Sequence, residues 1–259
     1  MITEWGMAIS DPAYRGQGIM SRLLETIFER VESSGYEAVF AHSVTNHAFT
    51  QKICQSHDFA DVALLLGYAS ADLSFKKIHG TLKQRESTVI SYKVLRPFKS
   101  PALYLPSRHK ELITDLYAGI GVTLQNAPSS PESERPAHSQ LQESVVTALN
   151  IAEIVLECAG ADLPDHLGQL TRKLCIAKLD LLYLFIDLEA QEAPEAVAEA
   201  EALGYFFAGI FPRYHHRHSL VLQYLNNLAF DYETIVTLSP VSEKLKAYLH
   251  KHDPNQIEE

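Results

Sequence analysis

Basic residues, sulfur and long apolar runs are all scarce in this 259-residue chain. Its 22 lysines and arginines face 32 aspartates and glutamates, a formal net charge of −10. Counterion release needs clustered cations, so a charge of this sign argues against nucleic acid or an anionic membrane as a general partner. Only three cysteines occur, Cys54, Cys158 and Cys175, with no CxxC pair among them. An odd, unpaired set in a chain this long excludes a disulfide framework and favours a reducing cytoplasm. The first residues lack a basic stretch followed by an apolar run, so no secretory signal is read there. No apolar run reaches the ~18 residues of a membrane span. His215, His216 and His218 are interleaved with Arg213 and Arg217, without a spaced cysteine or carboxylate. They read as a polar hairpin turn, and no metal site is assigned. What is present is 46% hydrophobic and 21% charged, enough to build a full core.

Alternating Trp5, Met7 and Ile9 predict a strand over Glu4–Ser10, broken by Asp11-Pro12. After Tyr14-Arg15-Gly16-Gln17-Gly18 come Met20, Leu23, Leu24, Ile27, Phe28 and Val31, spaced as one face of a helix that Gly35 ends. Ala38–Ala41 reads as a strand, Asn46–Gln55 as a helix, Val62–Tyr68 and Thr88–Leu95 as strands, and Arg108–Tyr117 as a helix. Pro128, Pro131 and Pro136 among Ser and Glu make 126–139 a linker. Beyond it, Ser144–Leu149 and Ile151–Cys158 are strand-like, and the leucines from Leu163 to Leu174 form a helical stripe. Then follow strand Leu182–Ile186, helix Pro194–Leu203 and strands Phe206–Phe211 and Leu220–Leu225. Val39–Phe59 and Phe185–Tyr205 repeat one plan at an offset of 146, and the aromatics Phe59/Tyr68 recur as Tyr205/Tyr214. These aromatics read as core, and the glutamates from Glu189 to Glu201 as a solvated helix face. The expected fold is α/β, with mixed, partly parallel sheets and flanking helices.

The chemistry-bearing segment is Arg15-Gly16-Gln17-Gly18-Ile19-Met20, between a strand and a helix N-terminus. Glycines admit close backbone approach, several amides point one way, and the helix dipole favours negative charge, which suits a diphosphate. The spacing is neither that of a Walker loop nor GxGxxG. The counterpart in the second half, Gly160–Gly168, adds acidic groups and should hold no phosphate.

The string Asp11-Pro12-Ala13-Tyr14-Arg15-Gly16-Gln17-Gly18-Ile19 resembles the acetyl-CoA motif of the GNAT acetyltransferase superfamily, with Met20 in place of a small residue. Gly6-Met7-Ala8-Ile9, His42 to Lys52 and Leu66-Gly67-Tyr68 are similar to a bacterial GNAT branch fused behind an anti-sigma-factor-like ATP-binding domain. The resemblance covers about residues 2–120. It implies two GNAT-like halves, an acyl-CoA-binding domain over 1–125 lacking its N-terminal strands and a degenerate domain over 140–259. It makes acetyl-CoA, or another acyl-CoA, the co-substrate, held by Ala8, Ile9, Ser10, Arg15, Gly16, Gln17, Gly18, Ile19, Met20 and Asn46. Asn46 also reads as a helix N-cap. Glu4 and His42 are the candidate bases for an amine acceptor. Cys54 stands five residues before Phe59, where the family often has a proton-donating Tyr, and is the candidate acid. The expected activity is N-acyltransfer. The alternative is a non-catalytic acyl-CoA sensor with a regulatory protein of the anti-sigma type as partner. A chain starting this close to the motif strand reads as N-terminally truncated, and its uncovered edge would favour a homo-oligomer.

Overall fold

The computed structural model describes residues 1–6, 11–14, 16–70, 83–127 and 134–256. Strand β1 (Ile2–Glu4) is followed by helix α1 (Ile19–Ser33), which starts at Gly18 and stops where Gly35 takes a φ of 90°. Of the stripe predicted for this helix, Leu24 and Phe28 are buried and Ile27 and Val31 partly so, whereas Leu23 is 51% exposed and the Met20 side chain lies outside the described residues. Leu24 and Phe28 pack on Trp5, Val39, Ala41, Cys54 and Phe59, each large side chain contributing about 1.5–3 kcal/mol. Strand β2 (Ala38–Val44) runs parallel to β1, with Trp5 N–H donating to the Phe40 carbonyl at 2.7 Å. Then come α2 (Phe49–Ser56), β3 (Ala60–Ala69) and β4 (Glu86–Val94). A short parallel ladder joins β5 (Ala102–Leu103) to β6 (Gln125–Asn126), with α3 (Lys110–Gly119) between them.

The second half contributes β7 (Gln140–Val146), β8 (Ile151–Cys158), α4 (Leu163–Ile176), β9 (Leu181–Asp187), α5 (Ala193–Ala202), β10 (Phe206–Pro212) and β11 (His218–Leu225). A C-terminal helix, α6 (Pro240–His252), was not anticipated from the sequence pattern. Its N-cap Ser239 accepts from the Ser242 amide at 2.9 Å, a cap worth about 1 kcal/mol.

Nine strands form one sheet in the order β1-β2-β4-β3-β10-β11-β9-β8-β7. The wiring recurs. In the first half β1 and β2 are parallel, and β4 inserts antiparallel between β2 and β3. In the second, β8 and β9 are parallel, and β11 inserts antiparallel between β9 and β10. The offset of 146 holds where β3 and β10 begin, 206 − 60 = 146. It shortens to 181 − 38 = 143 where β2 and β9 begin, so Phe40 corresponds to Tyr183. The offset of 146 expected throughout is thus corrected for this strand.

The inner strands β3 and β10 meet antiparallel at a single bridge, Gly209 to Ala63. Helix α6 packs on both and covers this seam. Arg85, 9% exposed at its side chain, spans it as well. Its Nε donates to the Gly67 carbonyl at 2.8 Å, Nη1 to Asp180 at 2.7 Å and Nη2 to the Leu149 carbonyl at 2.6 Å. One hydrophobic cluster runs from Ala38 to Leu249 across both halves. Of the expected linker, 128–133 lies outside the described residues, and Arg135 just beyond binds Glu199 through two hydrogen bonds of 2.8 and 2.9 Å. That pair and the His109–Glu201 contact of 3.1 Å correct the reading of the α5 glutamates as simply solvated.

Candidate functional site

The glycine turn opens where α1 begins. Gly16 has φ 76° and Gly18 φ 70°, a left-handed conformation that side chains with a Cβ resist. Among the described residues, chain neighbours aside, no atom lies within 4 Å of where a Cβ would stand on either glycine. The first backbone bond of α1 is Arg22 N–H to the Gly18 carbonyl at 3.2 Å, so the amides before it are free of intrahelical acceptors. The first turn carries no acidic side chain. Gln17 and Ile19 are exposed beside it. Ala8, Ile9, Ser10 and Arg15 lie outside the described residues, as does the side chain of Met20.

The loop after β2 is held by a carboxylate. Glu86, 3% exposed, accepts from the amides of Thr45 at 2.7 Å and Asn46 at 2.9 Å and from the Thr45 hydroxyl at 3.1 Å. Asn46 is not the N-cap of α2. That position is Ala48, which has no capping side chain. Both ends of the Asn46 side-chain amide are instead buried with no hydrogen-bond partner among the described residues, an arrangement that costs about 1–3 kcal/mol unless a ligand or water meets it.

Glu4 and His42 share a face of the sheet. Glu4 pairs in register with Phe40, and His42 lies two residues along the same strand. Glu4 keeps solvent access, yet the protein around it raises its carboxyl above the ordinary value. His42 Nδ1 meets the Thr88 hydroxyl at 3.3 Å, and its ring stacks on Tyr68 at 4.2 Å. Burial holds its imidazole down to about 4, so it is neutral near pH 7. Cys54 is not with them. It sits 1% exposed in the α1–α2 cluster on the opposite face of β2, with Sγ 3.5 Å from the Ser43 hydroxyl, and burial pushes its thiol up. A buried thiol of raised pKa is poorly suited to give a proton across the sheet.

Residues 2–59 match the model of the acetyltransferase (GNAT) family. The match spans β1, the glycine turn, α1, β2 and α2, the elements that carry Glu4, Gly16, Gly18, His42 and Asn46. Neither a curated protein nor a solved structure matches the chain. The large curled mixed sheet with its flanking helices is consistent with a GNAT-like fold.

Outside the GNAT match, the second half lacks the features of the turn. Helix α4 has Asp162 as its N-cap and Asp165 in its first turn. Hydrogen bonds from His138 at 3.0 Å and from the Ser139 amide at 2.6 Å hold the Asp162 carboxyl down to about 2. Two negative side chains at this helix start oppose an anion there. Among the described residues no group of His, Cys and carboxylates is arranged for a metal ion, and His218 is buried against the Tyr117 hydroxyl at 3.0 Å. No described helix is long and apolar enough to cross a membrane.

Burial also holds His218 down to about 4. In the unfolded chain both imidazoles return to about 6.5, so unfolding takes up protons between those values. Stability is therefore present above about pH 6.5 and is lost as pH falls toward 4. The raised carboxyls act in the opposite sense just above their ordinary range. The urea midpoint is expected to fall between pH 7 and pH 5, and less steeply in His218→Asn. Equal midpoints at both pH values for the wild type would contradict the neutral, buried histidines.

Proposed function

We propose that the chain binds acetyl-CoA, or another acyl-CoA, as co-substrate and transfers the acyl group to an amine. The observation that carries this reading is the glycine turn at the N-terminus of α1, obstructed by none of the described residues and within the GNAT match. The residues suit the co-substrate. Gly16, Gln17, Gly18 and Ile19 offer main-chain donors to a diphosphate, and the buried amide of Asn46 offers both a donor and an acceptor to the chain beyond it. The acyl thioester supplies the activated carbonyl. Glu4, beside neutral His42, accepts the proton that the acceptor's ammonium gives up. The freed nitrogen lone pair then forms the N–C bond as the C–S bond breaks and the thiolate leaves.

The second reading, a sensor that binds an acyl-CoA without turnover, is favoured by one observation: the position of the family's proton-donating Tyr holds the buried Cys54. Thiol release from acetyl-CoA over a panel of amines separates the two. Amine-dependent release that falls at least about 100-fold in Glu4→Gln, the low end of what a general base contributes, supports transfer. Saturable binding without release from any amine supports the sensor.

A further inference from the structure

Along the seam the two halves exchange aromatic rings. Tyr68, at the end of β3, packs on Tyr183 of the second half at 6.0 Å. Tyr214, just past β10, packs edge-on against Phe40 of the first half at 6.2 Å. Tyr68 and Tyr214 are 146 residues apart, and Phe40 and Tyr183 correspond, so each half lays its tyrosine on the corresponding residue of the other's strand, tilted by 44° at Tyr183 and edge-on at Phe40. A flat sheet would separate β2 from β10 by about 14 Å, three spacings of ~4.8 Å. Phe40 and Phe211 instead meet at 4.8 Å between ring centres, which requires the sheet to curl tightly here.

Two carboxylates flank these rings. Glu153 on β8 pairs in register with Tyr183, as Glu4 on β1 pairs with Phe40. The negative charges of both bear on both the Tyr68 and Tyr214 hydroxyls. Some partly buried carboxylates meet arginine: Glu37 meets Arg213 at 3.4 Å, Asp180 meets Arg85 at 2.7 Å and Glu199 meets Arg135 at 2.8 Å; the more deeply buried Asp61 and Asp253 are instead met by the hydroxyls of Ser91, Ser239 and Tyr232. Neither Glu4 nor Glu153 has a lysine or arginine partner among the described residues; burial raises Glu153, and the partial desolvation of the solvent-accessible Glu4 raises it too. Among the described residues Glu153 receives only the Tyr214 hydroxyl, at 3.3 Å. The Tyr68 hydroxyl and His42 Nε2 have no hydrogen-bond partner among the described residues. Tyr68, Tyr214, His42 and Glu153 are all half-buried and Glu4 is exposed, so the cluster is open to solvent.

We propose that this seam is the acceptor site and that its ligand is an aliphatic diamine, with one nitrogen at Glu4 and His42 and the other, as an ammonium, held between Glu153, Tyr68 and Tyr214. Two carboxylates from opposite halves, neither compensated by a cation among the described residues, complement two ammonium groups, and the tyrosine faces attract a cation and cover methylenes. Glu153 is a binding and specificity residue and leaves the transfer step to the first half. The inference rests on the acyl-transfer reading for its chemistry but not for its binding.

The test compares 1,4-diaminobutane with 1-aminobutane as acceptors for the full chain, with acetyl-CoA. The ratio of their kcat/KM values is expected to favour the diamine by at least about tenfold, the worth of one well-placed charge contact at about 1.4 kcal/mol. Glu153→Gln should bring the ratio close to one, mainly through the KM of the diamine, and Glu153→Asp should restore part of it. A ratio unchanged by Glu153→Gln, or no diamine preference in the wild type, overturns the proposal. Calorimetric titration of 1,4-diaminobutane, with and without CoA, reads binding apart from turnover. Binding lost in Glu153→Gln sustains the proposal even if no amine is acylated, an outcome that removes only the transferase reading. Turnover of monoamines without diamine binding removes this proposal and leaves that reading standing.

Discussion

Gly209→Ala is expected to lower the melting temperature by about 10 °C, the largest stability effect of any single methyl group along the seam. Gly209 forms the only described bridge between β3 and β10 and has a φ of 143°. A Cβ there would stand 2.4 Å from both the Ala63 Cα and the Val62 carbonyl oxygen. Those are backbone atoms of a buried strand and cannot swing aside as a side-chain end could. Overpacking of this kind costs about 1–3 kcal/mol, and the positive φ adds about 1–2 kcal/mol. For a chain of this size each kcal/mol moves the melting temperature by about 2–4 °C. Gly119→Ala is the control. Gly119 ends α3 with no positive φ and no atom within 4 Å of a Cβ, so its replacement should leave the melting temperature nearly unchanged. Differential scanning calorimetry of the two variants checks the pair. A Gly209→Ala protein that melts with the wild type would mean that the strands do not touch as described.

Gly18→Trp is expected to abolish acyl-CoA binding while the fold survives. The substitution carries a left-handed strain of about 1–2 kcal/mol, but the side chain enters space that none of the described residues occupies. Leu24 and Phe28, which anchor α1, lie more than a turn away. The indole would cover the amides that precede Arg22. Losing the close approach of a diphosphate to several main-chain donors should weaken binding about 100-fold or more, some 2.7 kcal/mol. A ligand that binds only the folded state raises its stability by RT ln(1 + [L]/Kd). Acetyl-CoA should therefore raise the melting temperature of the wild type and not that of Gly18→Trp. Equal rises in the two proteins would remove the turn from the binding site.

Most of the elements were legible because their patterns are local. The spacing from Met20 to Val31, with Gly35 after it, sufficed for α1, Pro194 marked the first turn of α5, and the apolar run from Phe206 marked β10. Helix α6 was missed although Ser239-Pro240 and Leu245/Leu249 mark it, since a polar, short stripe with two buried leucines is weak as a periodic signal. Asn46 looked like a cap because Asn commonly precedes helices. What decides its role is Glu86, forty residues on, which takes the loop amides and leaves the Asn46 side chain without a hydrogen-bond partner among the described residues. Tyr68 and Tyr214 looked like core beside Phe59 and Tyr205. The latter two are buried, whereas the former stand half-buried at the seam. Glu153 carried no signal at all. Its meaning comes from a pairing register with Tyr183 and from a curl of the sheet that no local pattern encodes.

Isothermal titration of acetyl-CoA into the full wild-type chain bears most directly on whether the glycine turn is a binding site. Saturable binding to one site per chain, displaced by CoA, is the expected result. Heats no larger than dilution up to millimolar acetyl-CoA would contradict it.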